Sequence, residues 1–311
     1  MFADFDNVEG AKGHVKLVLS PSGPDKLQTN QGIGSKTIIR KLESSSPFLV
    51  QRAIYPDTAL PQMSHIYLMS SSGGVLQGDR LTIDITLEPG SASRITTQAS
   101  TKIYKMEKGF ATQKINITVN KGSYLEFVPH PTIPFKASRF YQEAKISVSD
   151  GGTVIYTDTV VAGRIAYGEK FDFEVFATRT SVTDSLEKLL FLDSIILQPS
   201  KLKADLRMEN LDRLFANRDV LSSIYLVSSR ASNKQLVDKI DSIIKKKSGQ
   251  SAEGRLEDSD AIDNDIAGWS LLPNKAGVLV RMLSNSTDAT RALLDSIIQL
   301  ARQHLLLSIE K

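Results

Sequence analysis

From Arg80 to Glu88 the chain alternates without interruption, with Leu81, Ile83, Ile85 and Leu87 on one side and Arg80, Thr82, Asp84, Thr86 and Glu88 on the other. A period of two is that of a half-buried β-strand. The end of this strand, ITLEPGS at 85–91, returns as ITVNKGS at 117–123 and as ISVSDGG at 146–152, so that Gly90, Gly122 and Gly151 stand 32 and 29 positions apart. Each unit consists of a strand, a turn whose glycine can take positive φ, and a second strand such as YLEFVP or TVIYTDTVV. One strand pair is marginal in water, but several in register can stack their apolar faces. The sequence therefore predicts a mainly β chain, an elongated two-layer stack of β-hairpins and strands.

Helical spacing appears only later. In SNKQLVDKIDSIIKKK, 232–247, Leu236, Ile240, Ile243 and Ile244 share a face, Ser232 is the expected N-cap, and lysines gather where the helix dipole favours them. A second helix is expected after Ser286 or Thr287, burying Leu293, Leu294, Ile297, Ile298, Ala301 and Leu305. SIYLVSS and AGVLVRMLS read as strands of the same region. No Pro/Gly/Ser linker separates the parts, so one domain over 1–311 is expected: a β-rich body over about 13–205 and an α/β part over about 206–311, its two helices packed on the sheet.

Charge and composition remove several functions. Lysine and arginine number 38 against 35 acids, interspersed to a net +3, which gives no field for nucleic acid or an anionic membrane. Without cysteine there is no disulfide frame, thiolate metal site or cysteine nucleophile, as suits a reducing compartment. The N-terminus, MFADFDNVEGAKG, lacks the basic flank and apolar run of a signal peptide, and no apolar stretch approaches the roughly 20 residues of a membrane span. A cytoplasmic protein is expected.

Motif spacing excludes more. SSSGGVLQGDR, 70–80, is glycine-rich, but Asp79 and Arg80 follow Gly78 where a phosphate loop needs lysine and a hydroxyl residue. GIGSKT, 32–37, carries Ser35 in place of the glycine before Lys36. The acidic run DSDAIDND, 258–265, puts Ile262 in a calcium-ligand slot and lacks the turn glycine. His14, His65, His130 and His304 show no metal-binding spacing, and GxSxG is absent. Gly73, Gly74 and Gly78 are read as turn residues leading into the first repeat strand, like Gly90, Gly122 and Gly151 at the repeat turns. Two stretches stand out as a polar lining or docking surface: the hydroxyl-rich TTQASTKIY, 96–104, and VPHPTIPF, 128–135, which sets three prolines around His130 and Thr132.

Taken in order, GGVLQGDRLTIDITLEPGSASRITTQASTKIYKM, LEFVPHPTIPF, VVAGRIAYGEKF and GWSLLPNKAGVLVRMLS resemble the urease accessory protein UreD family, also called UreH. The likeness runs from about residue 13 to the last helix, and its most specific part is GG-x-x-x-GD-x-L followed by T-T-Q-x-x-T-K-x-Y. The resemblance implies a β-rich helicoid with two helices and a non-catalytic maturation factor. Its implied partners are UreF, the GTPase UreG and urease apoprotein, without nucleic acid or membrane. It further implies nickel in transit through a polar tunnel, with no tightly bound cofactor and no firm metal site. Tunnel or partner residues would then come from Asp79, Arg80, Thr97, Gln98, Ser100, Thr101, Lys102, His130 and Arg164. The alternatives are a β-solenoid-like binding module for another partner and, last, an enzyme using Asp79 with Arg80 or His130.

Overall fold

The computed structural model describes residues 8–23, 35–201, 215–247 and 265–306. The start of GIGSKT, the expected 205/206 division and the acidic 250–264 stretch lie outside the described residues.

Two sheets face each other. One holds β14 (Leu189–Leu197), β13 (Val175–Asp184), β11 (Arg139–Val148), β8 (Ala111–Val119), β5 (Arg80–Leu87), β1 (Lys12–Pro21) and β2 (Thr37–Ser44), in that order. The other runs β16 (Ile266–Leu271), β17 (Gly277–Ser284), β15 (Val220–Val227), β12 (Thr153–Val161), β9 (Tyr124–Phe127), β6 (Ala92–Thr97), β4 (Ser64–Ser70) and β3 (Phe48–Val50). Two short strands, β7 (Thr101–Ile103) and β10 (Thr132–Pro134), pair beside it.

The glycine turns do not close hairpins. Each carries the chain from one sheet to the other, β5 to β6, β8 to β9 and β11 to β12, and each strand pairs in parallel with its counterpart in the next unit. Equivalent positions therefore meet: Ile85 faces Ile117, Ile117 faces Ile146, and Leu87, Val119 and Val148 form a second row. A strand-turn-strand signature is common to hairpins and to such arches. What selects the arch is that both strands turn their apolar faces inward, toward each other across the stack. The turn glycines hold φ of 76°, 68° and 71°, as their position requires.

The 10-stranded sheet is covered on both faces, which explains why Tyr124–Phe127 are buried without alternation. Leu125 and Phe127 join the core between the sheets, whereas Tyr124 and Val128 pack beneath the helices α1 (Lys234–Lys247) and α2 (Thr287–Leu305). The helix α2 buries Leu293, Leu294, Ile297, Ile298, Ala301 and Leu305; each buried leucine or isoleucine is worth about 1.5–3 kcal/mol. Ser286 caps it by accepting from the Asp288 and Ala289 amides. The cap of α1 corrects the sequence expectation: Asn233 Oδ1 accepts from Gln235 N at 2.9 Å, while the Ser232 hydroxyl donates to the Lys275 carbonyl. Asparagine at that place competes for the same amides, and the serine is drawn away by a tertiary acceptor. β16 was not anticipated; Trp269 in it donates to Asp241 of α1 at 2.9 Å.

Arg302 fastens α2 to the sheet. It donates to Glu126 through Nε at 2.6 Å and Nη2 at 2.9 Å, and to Asp57 through Nη1 at 2.7 Å. No described helix is long and apolar enough to cross a membrane.

Candidate functional site

The hydroxyl-rich run does not continue a single strand. β6 ends at Thr97, residues 98–100 leave the sheet, and β7 resumes beside β10, with Thr101 opposite Thr132 and Lys102 opposite Ile133. Prolines on either side of Thr132 limit regular pairing there. A cavity of about 170 Å³ opens at this break and reaches between the sheets. Thr97, Gln98, Ser100, Thr101, Lys102 and His130 line it, as do Gly73 and Gly74. Thr97 Oγ1 accepts from the His130 amide at 2.9 Å and lies 3.4 Å from His130 Nδ1.

The deep wall is polar for a reason set by register. Gln113, Gln142 and Thr178 occupy paired positions on β8, β11 and β13. Gln113 Nε2 donates to Gln142 Oε1 at 3.5 Å, and Gln142 Nε2 donates to the Tyr156 hydroxyl at 3.2 Å. Across from them, in β12, stands Asp158. Burial pushes its carboxyl up to about 6, against the opposing pull of hydrogen bonds with Thr178 and Gln142. Beyond it, the Tyr156 and Tyr225 rings lie 5.8 Å apart, the Tyr225 hydroxyl donates to Asp193 at 2.5 Å, and Asp193 pairs with the partly exposed Arg281. Polar side chains thus recur from the cavity mouth, past Asp158, to Arg281.

Asp79, Arg80 and Arg164 do not line this cavity. Asp79 is 5% exposed, and its two oxygens accept from the amides of Ala11 at 3.0 Å and Leu76 at 2.8 Å. Gly78 beside it has φ of 81°, and a Cβ there would collide with the backbone of residues 8–10. Acid and glycine together pin the N-terminal segment to the start of β5. Arg80 donates to the Phe110 carbonyl at 2.6 Å and lies 4.5 Å over the Phe110 ring. Arg164 pairs with Glu169 and stacks 4.3 Å from Phe135 and 4.9 Å from the exposed Tyr167.

The sequence reading did not single out Gln113, Gln142 or Asp158. A signal existed for the glutamines, which are 29 positions apart at the same inward place of two repeat units. Of the other histidines, His14 pairs with Asp84 at 2.8 Å and His304 lies 3.1 Å from Lys239. Among the described residues no three histidine, aspartate or glutamate side chains form a group fit to hold a metal ion.

Comparison with known proteins gives a consistent result. A family model described as UreD urease accessory protein matches residues 23–309. The urease accessory protein UreD of Cenarchaeum symbiosum (strain A) is 32% identical over 272 residues, 88% of each chain. The urease accessory protein UreD 2 of Brucella canis is 33% identical over 87% of this chain and 83% of its own. The protein of the same name from Streptomyces griseus subsp. griseus is 32% identical over 88% and 86%.

Proposed function

The chain belongs to the UreD family of urease accessory proteins, and from that premise we propose that it is a non-catalytic maturation factor for urease. In this reading it assembles with UreF and the GTPase UreG on urease apoprotein, and nickel passes through its interior during GTP-dependent insertion. The supporting observation is the cavity between the sheets, whose hydroxyl, amide and imidazole groups lead from Thr97, Ser100 and His130 to Gln142 and Asp158.

The donor set suits passage better than storage. Isolated oxygen donors exchange a divalent transition metal readily, whereas clustered imidazoles or thiolates would retain it. Asp158 supplies a single buried carboxylate that is largely ionised above pH 6, enough to draw a cation inward and too little to cage it. On this account nickel is cargo and the protein carries no resident cofactor.

The test is reconstitution. The full chain, co-expressed with UreF, UreG and the urease subunits, should co-purify with them, and urease activity after addition of nickel and GTP should depend on its presence. Apourease that reaches full activity in cells lacking the chain would overturn the proposal.

A further inference from the structure

Parallel pairing builds a second polar surface, on the opposite face of the 10-stranded sheet from the cavity wall. His65 of β4 stands opposite Arg94 of β6, and Arg94 stands opposite Glu126 of β9. The helix α2 brings Arg291 over this surface, leaving a cleft of about 300 Å³. Two guanidinium groups, Arg94 and Arg291, two imidazoles, His65 and His130, and the polar Thr96 and Gln98 line it. Among the described residues no carboxylate is part of the lining.

The neighbouring acids are mostly engaged elsewhere. Glu126 and Asp57 are gripped by Arg302 at 2.6–2.9 Å, and Glu126 also accepts from Arg94 Nη1 at 3.2 Å, leaving the remaining face of that guanidinium to the cleft. Asp295, half exposed, touches Arg94 at 3.5 Å and Arg291 at 3.4 Å, contacts long enough to be exchanged for a better acceptor. His65 Nε2 is buried without a hydrogen-bond partner among the described residues. Burial and then the charge of Arg94 hold its pKa below the usual histidine value.

We propose that this cleft binds a small oxyanion, a phosphate or a carboxylate, between Arg94 and Arg291. Guanidinium forks match the paired oxygens of either group, and the adjoining imidazoles and the Gln98 side-chain amide offer further donors. This site is distinct from the passage and stands or falls without it. The two hollows share Gln98 and His130, so an anion seated here would also offset positive charge beside the cavity mouth.

The test is calorimetric titration of the full chain with inorganic phosphate and, separately, with acetate. Wild type, Arg291→Gln and, as a charge control on the far sheet, Lys114→Gln are compared. Saturable one-to-one binding is expected, weakened about tenfold or more by Arg291→Gln and unchanged by Lys114→Gln. In a parallel NMR pH titration, the His65 imidazole resonances should shift their midpoint upward when phosphate is present, because a bound anion favours the charged ring. Phosphate binding without acetate binding identifies a phosphate group as the ligand; acetate binding at least as tight identifies a carboxylate group. Binding of neither anion overturns the proposal, as does binding that Arg291→Gln leaves intact.

Discussion

Arg302 in α2 straddles the carboxylate of Glu126 in β9, with Nε 2.6 Å from Oε1 and Nη2 2.9 Å from Oε2, across 176 positions of chain. Glu126 is fully enclosed, and the Tyr124 hydroxyl donates to the same Oε1 at 2.8 Å. Such a pair resists the loss of one member far more than the loss of both, because the surviving buried carboxylate loses its two shortest contacts to a cation and keeps only that to Arg94 at 3.2 Å. Arg302→Met should destabilise the protein by about 3–5 kcal/mol, and Arg302→Met with Glu126→Leu by markedly less. Urea denaturation of the three proteins measures this; equal losses in single and double variants would contradict it.

Asp158 should make stability fall as pH rises. Its folded pKa, about 6, lies above the ordinary aspartate value of 3.8, so the folded state holds the extra proton between those values. Stability is then greatest below about pH 4 for this group and declines until about pH 6 is passed. Asp158→Asn removes the dependence and should gain on wild type by up to about 3 kcal/mol between pH 4 and pH 8. Chemical denaturation at both pH values checks the sign, and a constant difference would refute it.

Ser100 and Asp79 separate two ways of losing activation. Ser100 lines both the interior cavity and the cleft at the start of α2, so Ser100→Trp should reduce nickel transfer while leaving complex formation and thermal stability close to wild type. Asp79→Ala strips two backbone amides of their acceptor, a loss of about 1–3 kcal/mol for each buried group left unsatisfied. Its activation defect should follow a lowered melting temperature. Parallel thermal melts, pull-downs and activation assays distinguish the two patterns.

The layered β architecture was legible because alternation and glycine turns repeat at nearly constant spacing. Pairing between units was not, since Gly90, Gly122 and Gly151 would look the same in a hairpin. The cavity mouth was legible in part: hydroxyls from Thr96 to Thr101 interrupt an apolar pattern, and that interruption is where the sheet breaks. Asp158 was hidden because one carboxyl in TVIYTDTVV reads as the wet side of a strand. Only the covering of that sheet on both faces turns it inward. Asp79 misleads in the other direction, for an acid beside glycine suggests an exposed corner, while its oxygens are occupied by amides more than sixty positions apart.

Parallel pairing of whole units gives the molecule a fixed pitch. Each coil raises the stack by the strand spacing, about 4.8 Å, whatever its side chains. Lengthening such a protein by one coil would displace whatever sits on its last strand by that increment and leave the coils below in place. The separation between surfaces at the two ends is thus counted in whole steps, and evolution can adjust it by duplicating some thirty residues rather than by redesigning a core.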